Sequence, residues 1–346
     1  MIGQNNLLYH KYIRTEVDDE DLYNVLIELV DDIILESLTY FYKCTSIRFL
    51  EFSIYPIESI FGKLELKYWD IRHKGIEHLN PIEWNKRNLF GDSWYEKLKE
   101  VLDTNHMKQL GSYLTIQRRS KRIYPNSQDV FRAFKLCTFE HTKVIIVSKN
   151  PYYTGTKDYC TADGLAFSYK NGQDQPNRKA LDVILDEIER DCYNGFEVNK
   201  HKDLSYLAKQ GVLLLNSCLT VEHGNAESHL NIGWQRFTKY VLRLLFLDKV
   251  PKVFLLWGND AQTLYKEAIT GTNVSGNIVK YDSNIHVAIP HLTLVAKHPA
   301  YDIRLENNGE LRKVDYPNTF SGCEHFSTVN SFLKVNNRKE IEWLDI

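Results

Sequence analysis

The sequence lacks the signals that mark several common classes of protein. Its 346 residues carry a formal net charge of −2, so there is no overall basic excess of the kind found in many nucleic-acid binders, and any phosphate contact must be local. None of the six cysteines forms a CxxC pair, which argues against a zinc site and favours reduced thiols inside a cell. No apolar run approaches the length of a membrane span, and the first residues are polar, unlike a secretory signal. We therefore expect a cytoplasmic protein.

Hydrophobic residues make up 43% of the chain and charged residues 25%, the balance of an ordinary globular protein whose length allows about two domains. Residues 1–90 combine a helical amphipathic pattern at Asp21–Tyr42 with two strand-like segments, IRFLEFSIYPI and KLELKYWDI. They contain no set of side chains typical of catalysis. We predict a small α+β accessory domain at 1–90 and a second domain at 91–346. The alternative for residues 1–90 is a module that contacts DNA or a partner.

From Trp94 onward, helical patterns alternate with short apolar runs. Continuous apolar runs between helices are typical of buried parallel strands, so this region predicts an α/β fold with a central parallel four-stranded sheet flanked by helices. The four predicted strands are KVIIVS at 143–148, GVLLLN at 211–216, VFLLWG at 253–258 and LTLVAKHP at 292–299. The predicted helices cover 94–102, 127–134, 179–190, 204–210, 234–248 and 260–268.

Polar side chains suited to chemistry follow three of these strands, where ligands bind in sheets of this kind. Asn150 and Asn216 carry amides that can donate and accept in one plane, which suits the edge of a base. His298 can donate to an oxygen that gains charge as a bond breaks. The rings of Tyr152 and Phe167 can stack on a base. Alone, such an Asn more often forms a turn, and such a His or aromatic ring is more often a structural residue. Their placement at several ends of one sheet predicts a functional site.

From about Trp94 to Leu333 the sequence resembles the family 1 uracil-DNA glycosylases. A single segment that matches the family would be modest support. Here several matching segments follow one another in the family's order, which makes the resemblance specific. The segments are IYPNSQDVFRAF with KVIIVSKNPYY, GLAFS at 164–168, QGVLLLN at 210–216, LTVEHGNAESHLNIGWQRFT at 219–238, VFLLWG at 253–258, HPA at 298–300 and FSGCEHFSTVN at 320–330.

The resemblance implies a role for each polar residue at the strand ends. Phe167 stacks on a flipped base, and Asn216 bonds the pyrimidine edge. His298 donates to the pyrimidine O2 as negative charge builds on the leaving base, and Tyr152 packs against ring position 5. Asn150 holds the place of the residue that orients the attacking water. No metal or redox cofactor is needed for this hydrolysis.

One departure from the family affects the water site directly. Where the family's GQDPYH motif has Asp, this chain has Asn150. An amide can orient water, but it can neither take a proton nor counter the positive charge of the sugar. On uracil we expect a loss of roughly 10²–10⁴ in rate, the size that general-base catalysis usually supplies. Related glycosylases for mismatched or modified pyrimidines use Asn at this place, so the substitution is compatible with activity.

Other departures cluster at the mouth of the predicted pocket. The family's Gly-Gln is Ser148-Lys149 here, and the loop 154–163 is about four residues longer than is typical, a length change of the kind that loops tolerate. The HPSPLS motif becomes HPAYDI, which displaces the wedge leucine that fills the gap left by a flipped base. Candidates for that wedge are Tyr301, Ile303 and Leu305.

We expect the contacts to DNA to come from residues around this mouth. Arg178 lies in QPNR, where the family has PPSL. An insertion at roughly 303–318 contains Arg304, Arg312 and Lys313, which either contact phosphates or belong to an ordinary solvated loop. The residues predicted to bind DNA are Lys149, Arg178, Ser228, His229, Tyr301 and Arg304, with Arg312 and Lys313 as further candidates in the insertion.

Together these features predict a monofunctional DNA glycosylase that leaves an abasic site. The base is a modified pyrimidine, such as a 5-substituted cytosine of phage DNA removed in anti-phage defence, or uracil. The alternative is a catalytically silent DNA-binding or scaffold protein derived from such an enzyme. A DNA-mimic or inhibitor is disfavoured because no acidic face is evident. DNA is the expected partner, without a membrane or a metal, and the protein is expected to be a monomer, nucleoid-associated if bacterial.

Overall fold

The computed structural model describes residues 81–155, 160–170, 179–194, 196, 198–270, 290–307 and 319–344. Nearly all of them belong to one compact unit, Trp84–Ile346. The accessory domain predicted at 1–90 lies almost wholly outside the described residues, so the division into two domains remains a prediction.

The core of this unit is a parallel sheet. The described strands are β1 (Ile123–Tyr124), β2 (Val144–Ser148), β3 (Val212–Asn216), β4 (Val221–Glu222), β5 (Val253–Trp257) and β6 (Leu292–Ala296). Four of them form a sheet in the order β3-β2-β5-β6, and every neighbouring pair is parallel. The predicted α/β fold with a four-stranded parallel sheet is therefore confirmed.

The burial of the strands explains why their sequences are so apolar. Every residue of β2, β3 and β5 is buried, because helices cover the sheet and leave no solvated face for polar side chains. At the edge of the sheet β6 differs, since Thr293 and Val295 are exposed. Its run LTLVA predicts a strand as well as the others do, but the run does not reveal that this strand lies at the edge.

Ten α-helices lie among the described residues: α1 (Pro81–Phe90), α2 (Asp92–Leu102), α3 (Asn105–Arg118), α4 (Arg132–Leu136), α5 (Ala180–Tyr193), α6 (Ser205–Lys209), α7 (Trp234–Leu247), α8 (Asn259–Thr270), α9 (Pro299–Asn307) and α10 (His325–Val335). Helix α8 contacts β5, β2 and α7, while α5 packs against α9 and α10.

The predicted helices are present with small shifts at their ends, apart from 127–134, which is a short 3₁₀ turn at Ser127–Asp129 followed by α4. Helices α1, α3, α9 and α10 were not predicted. In α3 only Leu110 is buried, so the helix lacks the apolar stripe from which a helix can be predicted in a sequence. Helix α9 covers the start of the expected insertion at 303–318, whose remainder lies outside the described residues.

Two buried histidines form hydrogen bonds within this core. The Trp257 indole N–H donates to Nδ1 of His325 at 3.0 Å, so that nitrogen carries no proton. Nδ1 of His229 lies 2.8 Å from Oγ1 of Thr220, which itself accepts the Trp234 indole N–H. Burial lowers the pKa of both imidazoles below their ordinary value. Both rings are therefore neutral near pH 7.

We predict that the folded protein loses stability as the pH falls below about 6.5, the ordinary pKa of histidine. The pKa of His325 is lowered in the folded state, so the stability that its neutral ring contributes is present above that pH. This stability is lost at lower pH, because the unfolded chain binds a proton at this histidine and the folded chain does not. Urea unfolding between pH 7 and 5 measures the loss, at most about 1.4 kcal/mol per pH unit for each such proton.

His325→Gln keeps an acceptor for Trp257 but does not titrate, so its stability should fall less steeply with acid. His141→Gln removes an exposed histidine and serves as the control. A profile for His325→Gln that parallels the wild type would contradict the assignment.

Candidate active site

The register of the sheet brings the predicted residues to one edge. Ser148 pairs with Asn216 at the ends of β2 and β3, and the main-chain N–H of Ser217 continues this pairing by donating to the Ser148 carbonyl at 2.7 Å. Asn150 follows β2 by two residues, and His298 follows β6 by two residues. All three polar residues therefore lie at the carboxyl edge, where parallel sheets bind their ligands.

Asn216 carries an unsatisfied polar atom in this region. The residue is 3% exposed, and its side-chain oxygen Oδ1 has no hydrogen-bond partner among the residues that the structure describes. A buried acceptor left without a donor costs about 1–3 kcal/mol. Such an atom is expected where a ligand supplies the missing donor, and an N–H on the edge of a base is a suitable one.

Phe167 sits in a strained loop next to this edge. Its φ is +65°, a left-handed conformation that is uncommon outside glycine. The loop is held by Asp163, which accepts hydrogen bonds from the Leu165 N–H at 2.9 Å and the Ser168 hydroxyl at 2.6 Å and pairs with Arg132 at 2.6 Å. Backbone strain at a functional site persists only where surrounding bonds enforce it, and Asp163 provides three of them.

Aromatic rings support Phe167 from the core. The centroid of its ring lies 5.7 Å from that of Trp257 and 5.8 Å from that of His298. Trp257 is in turn packed edge-on against Phe320 at 4.9 Å. Phe167 is only 7% exposed, so the position of its ring is set by packing.

His298 has a defined tautomer in this arrangement. Its Nδ1 accepts the main-chain N–H of Ala300 at 3.1 Å, which leaves the ring proton on Nε2. Gly258, at the end of β5, allows the histidine to approach. A Cβ there would lie 2.9 Å from the Cβ of His298, and the φ of Gly258 is +86°. The neutral ring can thus donate through Nε2 to an oxygen that gains negative charge.

Tyr152 is attached to the Phe167 loop. Its hydroxyl donates to the Phe167 carbonyl oxygen at 3.2 Å, and its ring centroid lies 5.0 Å from that of Tyr169. Burial, with a further contribution from Tyr169, raises the pKa of the Tyr152 hydroxyl well above its usual value. Tyr152 is therefore a neutral donor, and its ring has little freedom to rotate away.

Asn150 directs its amide N–H to its own chain. Nδ2 donates to the carbonyl oxygen of Pro151 at 2.9 Å, and the side chain is half-buried. This bond fixes which end of the amide is the oxygen. Oδ1 can accept a hydrogen bond from a water molecule and so orient it, although a neutral amide supplies no charge.

The side chains predicted to contact DNA have different environments. Nζ of Lys149 lies 2.6 Å from a carboxylate oxygen of Glu227 and 3.5 Å from one of Asp260. The half-buried Ser228 accepts the Glu222 main-chain N–H at 2.8 Å through its hydroxyl oxygen. Tyr301 is half-buried on α9. The side chains of Arg178, Arg304, Arg312 and Lys313 lie outside the described residues.

Two predictions need correction. His229 is 2% exposed and bonded to Thr220, so its imidazole is enclosed in the core and is not available to a phosphate. Leu305, a wedge candidate, is 7% exposed. Ile303 is also partly buried and packs against the core, which favours the half-buried Tyr301 among the three candidates.

Sequence reasoning missed the residues that hold the site in place. Asp302 is fully buried and accepts the main-chain N–H groups of Phe320 and Ser321 at 3.2 and 2.8 Å. Asp163 was not predicted, and Gly258 was identified only as the end of the strand VFLLWG, although a glycine directly after a buried strand is a signal for close backbone approach. The partners of an aspartate distant in sequence leave no such signal.

Neither a metal cluster nor a membrane span occurs in the described ranges. There, no group of three or more His, Cys, Asp or Glu side chains is placed to hold a metal ion. No helix in the same ranges is long and apolar enough to cross a membrane.

The fold and the site define a class of α/β protein in which amide, imidazole and aromatic side chains gather at the carboxyl edge of a parallel sheet. A sequence comparison agrees with this class, because the family described as the uracil DNA glycosylase superfamily matches residues 134–334. Proteins named uracil-DNA glycosylase from Yersinia pestis (strain Pestoides F) and Yersinia pseudotuberculosis serotype I (strain IP32953) are each 31% identical over 252 residues, covering 72% of this chain and 94% of the relative.

Solved structures show the same fold. A crystal structure of mimivirus uracil-DNA glycosylase superposes with a TM-score of 0.58 at 21% identity, covering 79% of this chain and 96% of that one. A point variant of mimivirus UNG in complex with UGI gives a TM-score of 0.59 at 22% identity, covering 75% of this chain and 90% of that one. The chain belongs to the uracil DNA glycosylase superfamily, and it is a DNA glycosylase, a hydrolase of N-glycosyl bonds.

We predict that Gly258→Ala damages the site by displacing His298. The added methyl group would lie 2.9 Å from the His298 Cβ, and alanine is strained at a φ of +86°. Base release should fall about 10–100-fold, because small misplacements of a catalytic group are costly. Gly91→Ala is the matched control, since its φ is +75° but a Cβ there meets nothing within 4 Å. Equal activity losses in the two variants would contradict a role for the contact with His298.

We also predict that Asn216→Leu stabilises the protein while abolishing base release. The substitution removes a buried oxygen without a partner, so the free energy of unfolding should rise by about 1 kcal/mol in urea denaturation. Asn330→Leu is the control, because both ends of that amide are bonded to the main chain of Ile341 and its loss should destabilise. A destabilised Asn216→Leu would show that the amide serves the fold and not a ligand.

Proposed function

We propose that this glycosylase is monofunctional: it flips a pyrimidine out of DNA, hydrolyses the bond between C1′ and the base, and leaves an abasic site. The buried Asn216 oxygen carries the proposal, because it is an acceptor without a donor among the described residues, at the edge of the sheet where Phe167 packs against His298. A flipped pyrimidine would supply both an N–H for this oxygen and a flat face for the ring. The few kcal/mol needed to extrude the base are recovered in part by these contacts.

The proposed reaction distributes charge over two groups. As the bond from C1′ to the base nitrogen lengthens, its electron pair goes to the base, and the sugar becomes cationic. Nε2–H of His298 donates to the pyrimidine O2 and stabilises the anionic base. Asn150 orients a water molecule whose oxygen forms the new bond to C1′. The proton that this water loses passes to solvent, and the departing base takes up a proton from solvent.

Lys149 supports hydrolysis by water over attack by an amine. It neighbours Asn150, and a neutral lysine there could attack C1′ as a nucleophile. The hydrogen bond to Glu227 raises the pKa of the Lys149 amine above its ordinary value, so the amine stays protonated. A protonated amine has no lone pair to donate, which leaves water as the nucleophile.

For the base we propose a modified pyrimidine, with the 5-substituted cytosines of phage DNA as the class and anti-phage defence inside the cell as the setting. A neutral Asn150 should serve uracil poorly, by roughly 10²–10⁴ in rate. Asn216 accepts either edge, since uracil offers N3–H and cytosine offers an amino N–H to its oxygen. The additional residues of the sequence at 154–163 and 303–318 suit a bulkier group.

Tyr152 favours uracil as the alternative base. The ring would meet a substituent at position 5, and it is held by the hydrogen bond to the Phe167 carbonyl oxygen. Moving the ring aside would break that bond, at about 1 kcal/mol, and would also disrupt the packing of the ring against Tyr169. The similarity to the Yersinia enzymes, which are named for uracil, points in the same direction.

Mass spectrometry of bases freed from DNA that contains uracil, unmodified cytosine or hypermodified phage pyrimidines tests the proposal. We expect release of the modified base. Uracil release should be slower by at least about 10²-fold than in a variant with Asp at position 150. Asn150→Asp should raise uracil release, because it restores a charge. Asn150→Ala and His298→Ala should lose most release while retaining DNA binding.

The outcomes separate the possibilities. Efficient release of uracil alone would contradict the proposal that the substrate is a modified base. Wild-type activity in both alanine variants would contradict the proposed catalytic site. DNA binding without alkali-labile sites on any substrate would favour a silent scaffold protein.

A further inference from the structure

A basic segment connects α3 to β1 and is not used by the site described above. Four of the five residues at 118–122, RRSKR, are basic, and the next acidic residue along the chain is Asp129. Arg119, Lys121 and Arg122 are exposed. In a protein with a net charge of −2, such a run is a strong local departure from neutrality.

The conformation of this segment is fixed. The guanidinium group of Arg118 donates to the main-chain oxygens of Ile123 and Pro125, each at 2.8 Å. Strand β1 then pairs antiparallel with β4, with Ile123 opposite Glu222. The main-chain N–H of His223 extends this ladder by donating to the Arg122 oxygen at 2.8 Å. The exposed cations are thus presented from an ordered element.

The same ladder connects the basic segment to a predicted DNA contact. The N–H of Glu222 donates to the Ser228 hydroxyl oxygen at 2.8 Å, and the Glu222 carboxylate accepts from Lys121 at 2.9 Å. On α3, the exposed ring of Tyr113 lies 6.2 Å from the ring of His229, the residue after Ser228. The basic segment and Ser228 therefore lie on adjoining parts of one surface.

Lysines engage two acidic side chains of this surface. Glu222 pairs with Lys121, and Glu227 pairs with Lys149 at 2.6 Å. Their negative charge is therefore partly offset where a phosphate would approach, while the two exposed arginines at 119 and 122 add positive charge. Arginine is well suited to phosphate, because its planar donors match phosphate oxygens in pairs.

We propose that Tyr113, Arg119, Lys121, Arg122 and His223, the flanking basic surface, bind the phosphate backbone of the DNA duplex beside the flipped nucleotide. The proposal rests on the proposed function, because it assumes DNA as the substrate, but it concerns binding and not base release. Contacts to phosphate fix the register of a protein on the duplex without reading its sequence. The surface would thus hold DNA while the pocket selects the base.

Binding of a duplex across a series of salt concentrations tests this proposal. The probe is a labelled duplex with a 2′-fluoro nucleotide, which resists cleavage, titrated from about 50 to 200 mM salt. For Arg119→Gln/Arg122→Gln we expect affinity to fall about 10-fold at roughly 0.1 M salt. The slope of log K against log salt should become shallower by about 1.8, or about 0.9 for each phosphate that the variant no longer neutralises. In turnover, the loss should appear in KM more than in kcat.

Lys334→Gln/Lys339→Gln is the matched control, since it removes the same charge from two lysine side chains that are 79% and 80% exposed at the end of α10 and beyond it. A flanking-surface variant that binds like this control, with the wild-type slope, would overturn the proposal. Urea unfolding confirms that both variants are folded. If wild-type protein releases no base, the proposed function fails, while the binding series still decides whether this surface holds DNA.

Discussion

The parallel register of the central sheet is the constraint on which the rest of the structure depends. It aligns the last residues of β2 and β3, and of β5 and β6, so that the segments after them emerge at one edge. Asn216 ends β3, and Asn150 and His298 each follow a strand by two residues. A shift of one residue in any pair would move the side chains of one strand to the opposite face of the sheet and would misalign the segments after the strands, so core packing and site geometry are specified by the same register.

The site retains features that a structure selected for stability alone would avoid. Asn216 keeps a buried oxygen that no described residue satisfies, and Phe167 keeps a left-handed backbone. The loop of Phe167 is secured by the bonds of Asp163 and by the packing of Trp257 against the ring. Unfavourable free-energy terms of this kind are expected to concentrate where a binding site must be preorganised for its ligand.

Electrostatics in this protein is a local property. Asn150 carries no charge, and the positive charge of the neighbouring Lys149 is paired with Glu227 and Asp260. The exposed cations Arg119, Lys121 and Arg122 lie directly before a separate two-stranded ladder. A near-zero net charge does not exclude a locally basic surface when cations are grouped in this way, because screening limits the reach of each charge to about 8–10 Å.

The sequence by itself determined the strands, their parallel arrangement and the polar residues at their ends, because apolar runs between helices leave few other folds. Only the tertiary structure decided that His229 is enclosed by the core, that Leu305 is buried, and that Nδ1 of His298 accepts a hydrogen bond. It also decided that Asp163 and Asp302 anchor the loops of the site. The physical reason is that the spacing of apolar residues along a segment indicates only which of its own side chains face the core. Burial of a single side chain, and the partner of a polar atom, depend on residues far away in the chain.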